Sequence, residues 1–134
     1  MSSMTAERQS AIESTFAASA AGQLHFGEVV ARLVAAGVES YAVDYRASRS
    51  TCYLTDGQTL TLPLAVDEGG IPEDFDAAAV LAAIRGAQRG EVMYPQFKQR
   101  TRAAGCVGYS VWISGRHVVY FGRNGDSHVE RFPD

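Results

Sequence analysis

Apolar side chains return at Ile12, Phe16 and Ala20, four residues apart, behind the capping sequence Thr5-Ala-Glu-Arg-Gln. That interval predicts an amphipathic helix, and Ala21-Gly22 supplies its stop. Met1 to Ser3, ahead of it, read as a disordered start. A short connector, Gln23-Leu24-His25, leads into a second helix that buries Phe26, Val29, Val30, Leu33 and Val34 and stops at Gly37. Glu28 falls in its first turn, where a carboxylate meets the positive end of the helix dipole. The period then drops to two. Tyr41, Val43 and Tyr45 point one way and Ala42, Asp44 and Arg46 the other, which predicts a strand. Thr51 to Thr55 forms a second strand, Asp56-Gly57 a tight hairpin turn, and Gln58 to Leu64 a third strand with Leu60, Leu62 and Leu64 on one face. Pro63 predicts that this third strand lies at a sheet edge or bends away from its neighbour.

The same succession returns 68 residues later. Gly22 to Tyr45 aligns without a gap on Gly90 to Ile113, with 7 identities in 24 positions, among them Arg32/Arg100, Gly37/Gly105, Tyr41/Tyr109 and Val43/Val111. Asp76 caps a predicted helix over Ala77 to Gln88, in which Val80 and Ile84 repeat Ile12 and Phe16. A fourth helix starts near Tyr94-Pro95, where proline suits the first turn, and ends at Gly105. Strands Val107 to Ile113, Arg116 to Phe121 and Ser127 to Phe132 follow, joined by Ser114-Gly115 and by Asn124-Gly125. Each half therefore reads as helix, helix and a three-stranded meander, over about 5–66 and 75–133, with the Gly- and Pro-containing stretch 67–74 as linker. The expected fold is a single α+β domain over 1–134. It is a two-layer sandwich built by internal duplication of an ααβββ unit, with helices covering one side of a mainly antiparallel sheet.

At 134 residues the chain can bury a core without metal or disulfide staples. A net charge of −3 does not suit a nucleic-acid binder. The charge is uneven: residues 1–68 carry four basic and eight acidic side chains, and residues 69–134 eight and seven. Arg85, Arg89, Lys98, Arg100 and Arg102 concentrate the basic groups and read as solvated helix faces. Cys52 and Cys106 do not fall at equivalent positions and have no metal-ligand spacing, so they read as small, half-buried strand residues. No apolar run approaches a membrane span and the N-terminus lacks a signal-peptide core, so a cytoplasmic protein without membrane or nucleic-acid partners is expected.

The pattern F-x-x-V-x-x-R/K-x-x-A-A-G-V-x-x-Y, from Phe26 to Tyr41, resembles the bacterial domain-of-unknown-function 1398 family. Members of that family are also described as phage-envelope-protein-like or YdfO-like. Leu62-Pro63-Leu64, Ala83-Ile84-Arg85 and the ending Tyr120-Phe-Gly-Arg-Asn-Gly-Asp-Ser-His-Val-Glu-Arg-Phe-Pro133 are similar to it as well, so the resemblance spans nearly the whole chain after about residue 10. It implies a two-layer α/β sandwich and brings no activity, so no catalytic residue carries over.

Candidate chemistry is sought where the halves differ. His128 and Glu130 stand where the first half has Leu60 and Leu62, and at i, i+2 on a strand they share a face. They could form an acid–base pair in which the carboxylate orients the imidazole. The alternative is an edge strand turned to solvent, or one slipped by a residue so that Val129 faces the core. Trp112 replaces Asp44 on the face opposite Tyr41 and Tyr109, where it could floor a ligand site, anchor a dimer or be covered locally. Tyr41, Tyr53, Tyr109 and Tyr120 on equivalent strands read as core, with a tyrosine-lined pocket on a pseudo-twofold as the second reading. His25 and His117 read as a helix-entry and a strand-start residue, and the three histidines give no metal spacing.

The leading expectation is binding of a small molecule or a protein on an open sheet face carrying Trp112, Asp44, His128 and Glu130, with Tyr41 and Tyr109 as further ligand-binding candidates and no cofactor. The alternatives are a small enzyme with His128 as general base and a homodimerisation module.

Overall fold

The computed structural model describes residues 5–133, and the Met1 to Ser3 stretch lies outside them. The elements run α1 (Ala6–Ala20), α2 (Phe26–Ala35), β1 (Val38–Asp44), β2 (Arg49–Leu54), β3 (Thr59–Pro63), α3 (Ala77–Gln88), α4 (Tyr94–Ala103), β4 (Cys106–Trp112), β5 (His117–Gly122) and β6 (Ser127–Arg131). The caps read from sequence form. The Thr5 and Asp76 side chains accept hydrogen bonds from the Arg8 and Ala79 amides, and Glu28 accepts from the His25 amide at 2.9 Å. The fold is α+β, with four helices and six strands in two layers.

The strands form one sheet in the order β3-β2-β1-β4-β5-β6, antiparallel at every step. Pro63 sits on edge strand β3, opposite Arg49. The two meanders meet at the β1–β4 seam, where Ala42 faces Ser110, its counterpart 68 residues on. On either side Tyr41–Val111 mirrors Val43–Tyr109, and Ser40–Trp112 mirrors Asp44–Gly108. A pseudo-twofold axis therefore crosses the sheet at Ala42/Ser110. The backbone follows the same interval. Positive φ occurs at Gly37 and Gly105 (89° and 88°) and at the two non-glycine positions Ser48 and Arg116 (55° and 56°).

Register assigns every strand residue to a layer, because residues directly opposite in an antiparallel pair project from the same face. Tyr41, Val43, Cys52, Leu62, Tyr109, Val111, Val118 and Tyr120 share one face and are buried. Helices cover it, and Ile12, Leu33 and Val80 complete the core from their side. The other face carries Tyr53, Trp112, Phe121 and Val129, all exposed. That placement corrects the reading of Tyr53 as core: Tyr53 pairs with Ser40 on the open face, whereas Tyr120 pairs with Tyr109 on the covered one.

The basic stretch is not simply solvated. Lys98 is only 6% exposed; its Nζ donates to the Ala65 carbonyl at 2.6 Å and meets Asp67 at 2.7 Å. Arg102 donates to the Gly69 carbonyl, so α4 holds the linker against the body of the domain. The cysteines are fully rather than half buried, and burial pushes the Cys52 thiol up to about 12 and the Cys106 thiol to about 11, so both stay protonated and unreactive.

Candidate functional site

Between the helices and the sheet lies a cavity of about 890 Å³. Its wall is built by matched positions of the two halves, among them Phe16/Ile84, Leu24/Val92, Phe26/Tyr94, Val29/Phe97, Tyr41/Tyr109 and Leu62/Glu130. The cavity therefore belongs to both halves and lies about the pseudo-twofold. Each half contributes the N-terminal turn of its second helix, the C-terminal turns of its first helix, and inward residues of its meander. The space falls within the range of small-molecule sites, which are mostly apolar with few convergent polar groups.

An aromatic cluster forms the second-half wall. Phe97 packs on Tyr109 and Tyr120 with ring centroids 6.2 and 6.1 Å away, Tyr109 and Tyr120 are 5.5 Å apart, and Tyr94 stacks on Phe97 at 6.4 Å. On the other side Phe16 meets Tyr41 edge to face at 5.5 Å. Burial raises the phenols of Tyr41, Tyr109 and Tyr120 and pushes that of Tyr94 up to about 12, so all four are neutral. The Tyr94 hydroxyl oxygen is buried and has no hydrogen-bond partner. An unpaired buried hydroxyl is costly, which makes it a point where a guest can gain affinity.

The residues singled out in the sequence separate into two groups. Tyr41, Tyr109 and Glu130 line the cavity. Trp112 and Asp44 lie on the open face, with Trp112 47% exposed. His128 and Glu130 pair with Tyr120 and Val118, so they belong to the helix-covered face. The expectation of a single surface carrying Trp112, Asp44, His128 and Glu130 is therefore corrected, since the sheet itself separates the pairs. No register slip occurs in β6 either: Val129 points outward and is 54% exposed. Phe16, Tyr94, Phe97 and Phe132, which also line the cavity, were not among the site residues the sequence suggested. The conservative pairs Phe26/Tyr94 and Val29/Phe97 carried the only signal for two of them.

Glu130 is charge-paired. Arg85 donates to Oε1 at 2.6 Å, and the His128 ring lies 3.4 Å from Oε2. Partial burial pushes this carboxyl up, but the hydrogen bonds and charges of Arg85 and His128 outweigh it and hold it below its ordinary 4.5. Its ionised form thus stabilises the fold above the ordinary value, and that contribution is lost as pH falls through the lowered one. Glu130→Gln is expected to shrink the drop in Tm between about pH 6 and about pH 3, as read by circular dichroism. An unchanged drop would show that the pair contributes nothing. His128 faces this carboxylate and Tyr120 (ring centroids 6.4 Å apart) rather than the cavity, an arrangement suited to holding the wall and not to reaching a guest.

On the open face a groove of about 330 Å³ runs between Tyr53 and Trp112 over Ser40, Ala42 and Ser110. Among the described residues no group of His, Cys, Asp and Glu is placed to hold a metal ion, and no helix is long and apolar enough to cross a membrane. Compared with known proteins, the chain matches no family model and no curated protein.

Proposed function

We propose that this protein binds a small, largely apolar molecule in the cavity between its helices and its sheet, and does so in the cytoplasm. The observation that carries the reading is the aromatic-walled space of about 890 Å³ containing an unpartnered buried hydroxyl. A helix–sheet interface whose only task is stability fills with side chains, because empty volume forfeits packing energy. Here matched positions of both halves border a space instead. Membership of the domain-of-unknown-function 1398 family and an origin by duplication of the ααβββ unit belong to the same proposal. The 68-residue recurrence of elements, turns and positive-φ positions supports the duplication.

The test is a titration with phenylnaphthylamine, an uncharged dye that brightens on leaving water. A saturable one-to-one enhancement with micromolar affinity, about 8 kcal/mol of binding, is expected. Absence of saturation would sink the reading. An unbiased ligand screen by thermal shift then identifies natural guests, since a ligand of the folded state raises Tm.

A homodimer through the open face is the second reading, carried by the exposed Tyr53, Trp112, Phe121 and Val129 on one sheet surface. It predicts a sedimentation coefficient that rises with concentration and falls back in Trp112→Lys. A monomer at all concentrations contradicts it.

A further inference from the structure

The paired state of the charges around the cavity narrows the class of guest, an inference that rests on the cavity-binding reading above. Glu130 is occupied by Arg85 and His128. The Arg116 guanidinium donates to the Pro133 carbonyl at 3.1 Å and lies over the Phe132 ring, 5.6 Å from its centroid. Arg89 is paired with Glu91 at 3.0 Å, and the other charged side chains of the lining, Glu13 and Arg131, lie exposed to water at its rim. A guest whose charge lay against the aromatic wall would have to displace the Glu130 pair or leave that charge unpaired, and both are unfavourable.

The polar atom left over is different in kind. Tyr94 Oη is buried with no partner within hydrogen-bond distance, in a wall of rings and aliphatic chains that also carries the Tyr41, Tyr109, Tyr120 and Ser50 side chains. It belongs to a neutral phenol, a single hydroxyl that can donate one hydrogen bond. The Tyr109 hydroxyl points its proton toward the same oxygen beyond ordinary hydrogen-bond distance, a loose contact that lowers the Tyr94 phenol, raises that of Tyr109 and leaves the Tyr94 proton free to donate. The position also breaks the pseudo-twofold: its counterpart in the first half is Phe26, which has no polar atom. At this position the second half thus offers a hydroxyl where the first offers only a ring, which favours one orientation of a guest with a single oxygen.

We infer that the cavity takes an uncharged apolar molecule bearing a carbonyl, ether or hydroxyl oxygen, and that Tyr94 donates its hydroxyl proton to that oxygen. The groups named are ligand-positioning residues, and no bond is made or broken.

The experiment displaces phenylnaphthylamine with four naphthalene probes that differ only in substituent: an ethyl group, an acetyl group, a carboxylate and a methylammonium. Wild-type protein is expected to bind the acetyl probe more tightly than the carboxylate or the methylammonium. Tyr94→Phe is expected to weaken the acetyl probe about tenfold, the scale of one hydrogen bond, while the ethyl probe binds as before. The unchanged ethyl probe, with an unchanged Tm, shows that the fold and cavity survive the substitution. Equal weakening of the ethyl and acetyl probes, or no weakening of either, overturns the role of Tyr94. Tighter binding of a charged probe overturns the ligand class. Either result leaves the cavity reading standing, whereas failure of every probe and of the dye removes both.

Discussion

Replacing Gly105 by alanine is expected to cost about 3–4 kcal/mol of stability, while the same change at its counterpart Gly37 costs about 1–2. Both glycines end a helix with positive φ, 88° and 89°, so each substitution incurs the left-handed strain of an L residue. What differs is the neighbour. A Cβ on Gly37 would run into the guanidinium of Arg8, the far end of a flexible chain that can swing aside. A Cβ on Gly105 would run into the backbone carbonyl of Asp74 and the Cα of Phe75, where the chain enters α3. That backbone is held in place, since the Asp76 amide donates to the Ala104 carbonyl at 2.7 Å. In the first half the matching carbonyl, of Ala36, takes its hydrogen bond from the Arg8 side chain instead. The two halves thus close the matching helix ends differently, one with a side chain and the other with main chain. Urea denaturation of the two variants measures the difference, and equal costs would show that strain alone governs both sites.

The second large effect concerns binding. Ala87→Trp is expected to weaken phenylnaphthylamine at least about 100-fold while leaving Tm unchanged or raised. Ala87 lies in the last turn of α3 and borders the cavity. An indole there can enter existing apolar space without displacing a packed side chain, so the substitution competes with a guest and not with the core. The usual small-to-large penalty would appear as a fall in Tm, and loss of binding with loss of stability would argue that no usable void exists. Retained binding with unchanged Tm would place the dye elsewhere, with the Tyr53–Trp112 groove as the next position to probe.

The succession of elements was legible because it rests on local physics. The interval of Ile12, Phe16 and Ala20 predicts a helix whatever surrounds it, although the face it buries runs through Ile12, Thr15 and Ser19 and leaves Ala20 exposed, and Thr5, Asp76, Gly37 and Gly105 mark ends through their own backbone needs. The 68-residue recurrence extended these local readings to a two-layer α+β fold. Alternation within each strand was equally legible: Tyr41 and Val43 do part from Ala42 and Asp44.

Which face of one strand matches which face of another was not local. Trp112 and His128 are each correctly opposed to their own strand neighbours, yet the sheet stands between them. Relating them requires the pairings of β4 with β5 and of β5 with β6, and a shift of one residue in either would exchange faces. A hint was present in the separation of Tyr53 and Tyr120, 67 residues and not 68. An odd departure from the repeat puts the two rings on opposite faces.

By itself, then, the sequence determined the elements, their order and their caps, because each follows from short-range periodicity and backbone stereochemistry. The tertiary structure alone decided the sheet order, the face of each strand that the helices cover, the pairing of Arg85 with Glu130 across 45 residues, and the cavity. A cavity is the volume left over when distant side chains from both layers have been placed, and no local pattern records the distance between the layers.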